Sequence, residues 1–139
     1  MPVCFGISFT STFLNQAAAL VHVYTDGSVS LNMGASDIGT GTKTVMAMVV
    51  AEELGVPVEH VRVVAADTDL CPVDLGAYSS RTTLMTGHAA REAAEYVRRQ
   101  LLEVGAEAMG VAEDGPTRTR VDPCRRMGRI RRRRAASNS

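Results

Sequence analysis

The sequence predicts a two-layer α/β (α+β) domain, built as a β-β-α-β-α unit with a mixed sheet and followed by a disordered basic tail. Three observations carry that reading. An Asp26-Gly27 pair lies between two alternating runs. An apolar stretch, Thr42 to Leu54, is bounded by a glycine loop before it and by Gly55 and Pro57 after it. A short β-branched run, Val61 to Ala65, is followed by a long amphipathic stretch beginning at Thr82.

Each element has a local cause. Val21-His22-Val23-Tyr24-Thr25 alternates, and Ser28 to Met33 alternates again. Asp-Gly between such runs is a hairpin signal, because glycine tolerates the positive φ that the turn needs. Val21, Val23, Val29 and Leu31 are the candidates for the buried face. Thr42 to Leu54 is apolar nearly all round, so a largely buried helix is expected, with Met46 and Met48 filling the core. Gly55 closes it and Pro57 prevents continuation. Val61 to Ala65 reads as a strand that reaches parallel pairing through a crossover. Thr82 to about Met109 reads as one helix, with Ala89, Ala93, Val97, Leu101, Val104 and Ala108 at helical spacing. On its outer face Arg91–Glu95, Glu95–Arg99 and Arg99–Glu103 stand at i,i+4.

The chain has 139 residues, enough for one domain with a core. Hydrophobic residues make up 45% and aromatics only 4%, so the core must be built from Val, Leu, Ala and Met. A net charge of zero hides an asymmetry. Residues 116–139 carry nine arginines against Asp122 alone, whereas residues 1–115 carry six cations against fourteen acids. Cys4, Cys71 and Cys124 are odd in number and show no CxxC spacing, which supports neither a disulfide framework nor a zinc site. The expected setting is the cytoplasm. No apolar run of about 18 residues is present, and Met1 to Leu20 lacks the charged start of a signal peptide.

Two loops hold the chemistry. Gly34-Ala35-Ser36-Asp37-Ile38-Gly39-Thr40-Gly41-Thr42 runs into the first helix. Asp67 to Thr83, containing Pro72, Gly76 and Ser79-Ser80-Arg81-Thr82-Thr83, runs into the second. Loops of this kind present backbone N–H groups at a helix start, where the dipole favours negative charge. The hydroxyls of Ser79, Ser80, Thr82 and Thr83 add donors. The pair reads as a cradle for an anionic, hydrogen-bonding ligand. The first loop is not a P-loop, because Thr42 stands where that motif has the glycine before Lys-[ST]. It also fails G-x-G-x-x-G, because Thr44 takes the third glycine's place.

Each feature also has a plainer reading. The glycines can be a flexible connection. Ser80 or Thr82 can simply cap the long helix. Arg81 can pair with Asp74 or Asp69 as a structural bridge. Asp67, Asp69 and Asp74 fit turns better than Ca²⁺, since the EF-hand spacing is missing. His22, His60 and His88 are isolated and receive no ligand role.

The segments DIGTGTKTVMAMVVAEELGVPVEHVRVVAADTD and DLGAYSSRTTLMTGHAA resemble the molybdopterin-binding region of the large subunit of molybdenum hydroxylases, the xanthine dehydrogenase and aldehyde oxidase group. The first segment is similar to the family's glycine loop, helix and strand, and the second to its later cofactor loop. The opening PVCFGISFTSTFLNQAAALVHVYTDGSV resembles bacterial xanthine dehydrogenase. The resemblance covers residues 2–112, and so implies a partial molybdopterin-binding domain over 1–112 and a separate Arg-rich stretch over 113–139. It implies cofactor contacts at Ile38, Gly39, Thr40, Gly41, Ser79, Ser80, Arg81 and Thr82. Thr40 stands where the xanthine dehydrogenase branch usually carries Gln, so the reach of that contact is shorter.

The same resemblance implies a molybdenum–molybdopterin cofactor, with iron–sulfur clusters and FAD only on other domains or subunits. No catalytic residue and no metal ligand is assigned to this chain. The family's glutamate base lies beyond the resembling segment, so a fragment inactive alone is expected. Its partners would be the remainder of the large subunit and the iron–sulfur and flavin subunits, with no membrane. Residues 116–139 have two readings, a basic arm for nucleic acid or an acidic partner and a stretch translated out of frame. The alternative function is therefore a non-enzymatic binding module acting through that arm. A third reading is an unstable gene remnant.

Overall fold

The computed structural model describes residues 6–8 and 10–110. The reading of 113–139 as a tail therefore lies outside the described residues, as do Cys4 and Cys124. The elements are β1 (Ala19–Val23), β2 (Val29–Met33), α1 (Thr42–Leu54), β3 (Val61–Ala65) and α2 (Thr82–Met109), with short 3₁₀ turns at Thr12–Leu14 and Val58–His60. The β-β-α-β-α order is the expected one. β1 starts earlier than the alternation suggests, and Tyr24 and Thr25 belong to the loop instead. The loop is wider than a two-residue turn, because Tyr24 N–H donates to Ser28 O at 2.9 Å and Gly27 N–H donates to Tyr24 O at 3.0 Å. Gly27 takes the positive φ of +84°. The Asp26 carboxylate accepts both the Ser28 hydroxyl and the Ser28 N–H.

The sheet order is β1-β2-β3. β1 and β2 are antiparallel, with Val23 opposite Val29 and Ala19 opposite Met33. β2 and β3 are parallel, with Val29 beside Val61 and Met33 beside Ala65. Parallel strands cannot be joined by a hairpin, and α1 supplies the crossover. The inner face is three rows, Val23-Val29-Val61, Val21-Leu31-Val63 and Ala19-Met33-Ala65. Because β2 is central, Val29, Leu31 and Met33 are buried. Val21 and Val23 are only half-buried, because β1 is an edge strand.

α1 lies against this face through Met46, Ala47, Val50 and Ala51. Met46 fills the core as expected, but Met48 is 56% exposed and does not. Two positions on a helix are about 200° apart, so Met46 and Met48 cannot face the same sheet. Val45 also stays exposed, so the helix is buried on one side despite its uniform composition.

α2 turns a different stripe inward from the one its apolar spacing marks. Thr86, Gly87, Ala90 and Ala94 are buried, while Ala89, Ala93 and Val97 flank them half-buried. The smallest residues win this contact because they allow the closest approach of α1. A Cβ placed on Gly87 would lie 3.8 Å from the Met46 methyl. Leu101 and Val104 are exposed. A 28-residue helix is about 42 Å long and a five-residue strand about 17 Å, so the far end of α2 overhangs the sheet. Arg98 and Glu53, 3.8 Å apart, link the two helices at the surface.

Candidate functional site

The glycine loop is closed by its own aspartate. Asp37 Oδ1 accepts the N–H groups of Gly39 at 3.0 Å and Gly41 at 3.2 Å. Its Oδ2 accepts the Lys43 N–H at 3.2 Å. These bonds stabilise the charged form, the one from Lys43 most, and hold the carboxyl below its ordinary value. Gly39 and Gly41 both carry positive φ, which lets the chain wrap around that carboxylate. Gly41 caps α1 in the left-handed conformation, with no side-chain cap. Thr40 and Thr42 join their hydroxyls at 2.8 Å.

The second loop is held from a distance. Arg81 is only 1% exposed. Its Nε donates to Gly76 O at 2.9 Å, one terminal nitrogen to Leu14 O at 2.9 Å and the other to Gln16 O at 3.0 Å. The guanidinium stacks 4.6 Å from the centre of the Tyr78 ring. Asp74, its side chain 3% exposed, lies 3.5 Å from Arg81. The same carboxylate accepts Gly76 N–H at 2.7 Å and the Thr86 hydroxyl at 3.2 Å. Arg81 thus joins the N-terminal segment, the 74–78 turn and the start of α2 in one buried network. The bridge to Asp74 is present, and the guanidinium is directed inward. Asp67 makes a local turn instead, accepting the N–H groups of Asp69 and Leu70.

Above the network, Ser79 and Ser80 sit at φ of +52° and +50°. Side chains seldom adopt this region, and two such residues in succession are a marked local strain. The Ser8 N–H donates to Ser79 O at 2.8 Å and helps to hold them. Neither Ser80 nor Thr82 caps α2. Arg81 occupies the cap position and no side-chain cap bond forms. The capping explanation for these hydroxyls therefore fails.

The two loops meet at Gly34. A Cβ there would lie 2.7 Å from Asp74 Cβ and 2.8 Å from its backbone nitrogen. Beside this contact opens a cleft of about 340 Å³. Ile38, Thr40, Thr42 and Val45 form one wall, and Ala77, Tyr78, Ser80, Arg81, Thr82 and Thr83 form the other. Of the expected site residues, Ile38, Thr40, Ser80, Arg81 and Thr82 line the cleft together. Gly39, Gly41 and Ser79 do not line it but adjoin residues that do. Sequence reasoning missed Asp37, Gly34 and Tyr78 as parts of this arrangement. An aspartate two residues before a glycine is a turn signal that pointed to Asp37. The roles of Gly34 and Tyr78 rest on contacts with distant segments and have no local signal.

The cleft combines hydroxyl donors with apolar flanks at Ile38, Val45 and Tyr78. That combination suits a small ligand with both hydrogen-bonding groups and apolar surface. Among the described residues no group of three His, Cys, Asp or Glu side chains is placed to hold a metal ion. Among them also, no helix is long and apolar enough to cross a membrane.

Comparison with known proteins shows what the chain is similar to. The molybdopterin cofactor-binding domain family matches residues 1–129, a span running past Ala112. Xanthine dehydrogenase of Blastobotrys adeninivorans is 43% identical over 101 residues, covering 73% of this chain and 7% of that protein. Xanthine dehydrogenase/oxidase of Felis catus is 41% identical over 101 residues, with 73% of this chain and 8% of that one covered. The CO dehydrogenase from Oligotropha carboxidovorans superposes with a TM-score of 0.68 at 32% identity, over 70% of this chain and 12% of the other. Quinoline 2-oxidoreductase from Pseudomonas putida 86 superposes at 0.64 with 26% identity, over 70% and 12%. The chain spans less than a tenth of the length of these two xanthine dehydrogenase relatives.

Proposed function

The chain belongs to the molybdopterin cofactor-binding domain family, and from that premise we propose that its cleft receives part of a molybdopterin cofactor within a larger molybdenum hydroxylase of the xanthine dehydrogenase and aldehyde oxidase type. One observation carries the reading. Two loops some 40 residues apart converge on a single cleft whose lining is rich in hydroxyls. Thr40 hydrogen-bonds the pterin edge from one side. Ser80 and Thr82 do so from the other, and Ile38, Val45 and Tyr78 give the ring apolar contact. Gly39, Gly41 and Ser79 shape the backbone around it. Arg81 contributes by fixing the loop that carries the serines, since its guanidinium is engaged below them. When bound, the cofactor supplies the redox chemistry at its metal, and these residues orient it.

In this reading the chain is catalytically silent alone. Substrate-positioning residues, a proton-abstracting base and the iron–sulfur and flavin groups are supplied by other parts of the assembly. Turnover of a purine or an aldehyde by the isolated chain would contradict this.

The direct test is an amide-shift titration of the chain with a pterin carrying a phosphate monoester. Shifts confined to Ile38–Thr42 and Ser79–Thr83 are expected. Thr40→Val and Ser80→Ala should each weaken binding roughly three- to tenfold, the worth of one hydrogen bond. Binding that leaves both loops unmoved, or no binding at all, overturns the assignment.

A further inference from the structure

The Asp37 carboxylate is itself an anion lodged in the glycine loop. It takes the N–H groups of Gly39, Gly41 and Lys43 at 3.0, 3.2 and 3.2 Å. These are the donors a bound phosphate would need at this helix start. All three are already directed at a full negative charge. Neither helix has an acid in its first turn or a side-chain cap bond, but at the start of α1 the Asp37 carboxylate, from outside the helix, takes the Gly41 and Lys43 N–H groups. Asp74, the buried carboxylate of the second loop, is engaged with Gly76, Thr86 and Arg81.

We propose that Asp37 is a specificity-determining residue that excludes anionic groups from the glycine loop, so that this wall of the cleft receives an uncharged, hydrogen-bonding edge of the ligand. The proposal rests on the cofactor reading above and deepens it. It assigns the pterin ring, and not a phosphate, to Ile38–Thr42. A second anion here would have to displace a covalently tethered competitor. If it did not, it would sit a few ångströms from a like charge, which lowers affinity about tenfold or more. The Thr40 and Thr42 hydroxyls, paired at 2.8 Å, stand beside the loop as neutral partners.

The test uses two probes on the full chain, inorganic phosphate and a phosphate-free pterin such as 6-hydroxymethylpterin, each followed by amide shifts. In the unmodified chain phosphate should leave the Gly39, Gly41 and Lys43 amides unmoved at millimolar concentration. Asp37→Asn keeps an acceptor oxygen but removes the charge, so phosphate should now shift these amides with an affinity at least about tenfold higher. Asp37→Ala should gain more. Should the alanine variant lose its dispersed strand amides, the asparagine variant decides. Phosphate shifts at these amides in the unmodified chain overturn the proposal. So does a lack of any gain in the variants. The pterin probe should move Ile38 and Thr40 with or without the Asp37 charge. If it moves nothing in any variant, the cofactor reading fails, while the phosphate arm still reports on Asp37.

Discussion

The two loops that wall the cleft are held by opposite means. The first is tied by Asp37 to backbone groups two, four and six residues away. The second is tied by Arg81 to carbonyls 65 and 67 residues away. The first loop's ties are therefore written within the seven residues from Asp37 to Lys43. The second loop has local ties as well, but its Arg81 is also anchored on the N-terminal segment. Local ties survive partial unfolding and distant ties do not. The serines of the second loop should thus be ordered only in the complete fold.

The largest effect expected from this difference is at Arg81. Arg81→Leu leaves Asp74 buried without its charge partner and removes the guanidinium donors to the Leu14, Gln16 and Gly76 carbonyls. Breaking a buried ion pair from one side costs about 3–5 kcal/mol. A domain of this size has about 5–15 kcal/mol in total, so urea denaturation should show a large fraction of the stability gone. Arg81→Leu combined with Asp74→Leu should recover part of the loss, because no lone charge remains. A loss below about 1 kcal/mol for the single variant would mean that the second loop is held by something else.

Gly34 comes next, because it is where the two loops touch. Gly34→Ala forces a methyl to within 2.7 Å of Asp74 Cβ. Overpacking of this kind costs about 1–3 kcal/mol. Loop amides on both sides should shift together. Shifts on one side alone would show that the loops move independently.

The contrast also explains what was legible in the sequence. The bounds of α1 and β3 could be read because their causes are local, a glycine on each side of α1 and a β-branched run in β3. The family resemblance located both loops. The pair of loops already reads as one cradle in the sequence, and the structure adds which side chains line the shared cleft, Thr40 with Ser80 and Thr82. The stripe that α2 buries was misplaced, because apolar spacing favours larger side chains while close helix packing favours Gly87, Ala90 and Ala94. Met48 was misplaced because composition does not say which side of an all-apolar helix meets the sheet. The inward turn of Arg81 depends on Leu14 and Gln16, and no nearby residue signals it.

A smaller effect, of opposite sign, is expected at Ser80. Its φ of +50° is one that glycine adopts freely. A left-handed residue with a side chain carries about 1–2 kcal/mol of strain. Glycine returns part of that gain through its greater freedom when unfolded, about 0.5–1 kcal/mol. Ser80→Gly should therefore raise stability by roughly 0.5–1 kcal/mol while weakening pterin binding. A stabilised variant that binds as well as the parent would show that the strained serine is not maintained for its hydroxyl.

The smallest effect is the pH response of the first loop. Asp37 is more acidic folded than unfolded, because three N–H groups favour its charged form, that of Lys43 most. Its stabilising contribution is therefore complete above the ordinary aspartate pKa of about 4 and fades as the pH falls below it. The contribution vanishes once the pH passes the lower folded value, since both states are then protonated. Acidification should accordingly loosen Gly39, Gly41 and Lys43 before it disturbs Ser79 and Ser80. The ordering follows from the ties themselves. Three hydrogen bonds of Arg81 end on carbonyls, which do not titrate. Amide exchange followed from pH 6 downward should show the first loop opening alone. Simultaneous opening of both loops would mean that they form one cooperative unit through Gly34, and that the local tie at Asp37 is not independent of the buried network beneath the serines.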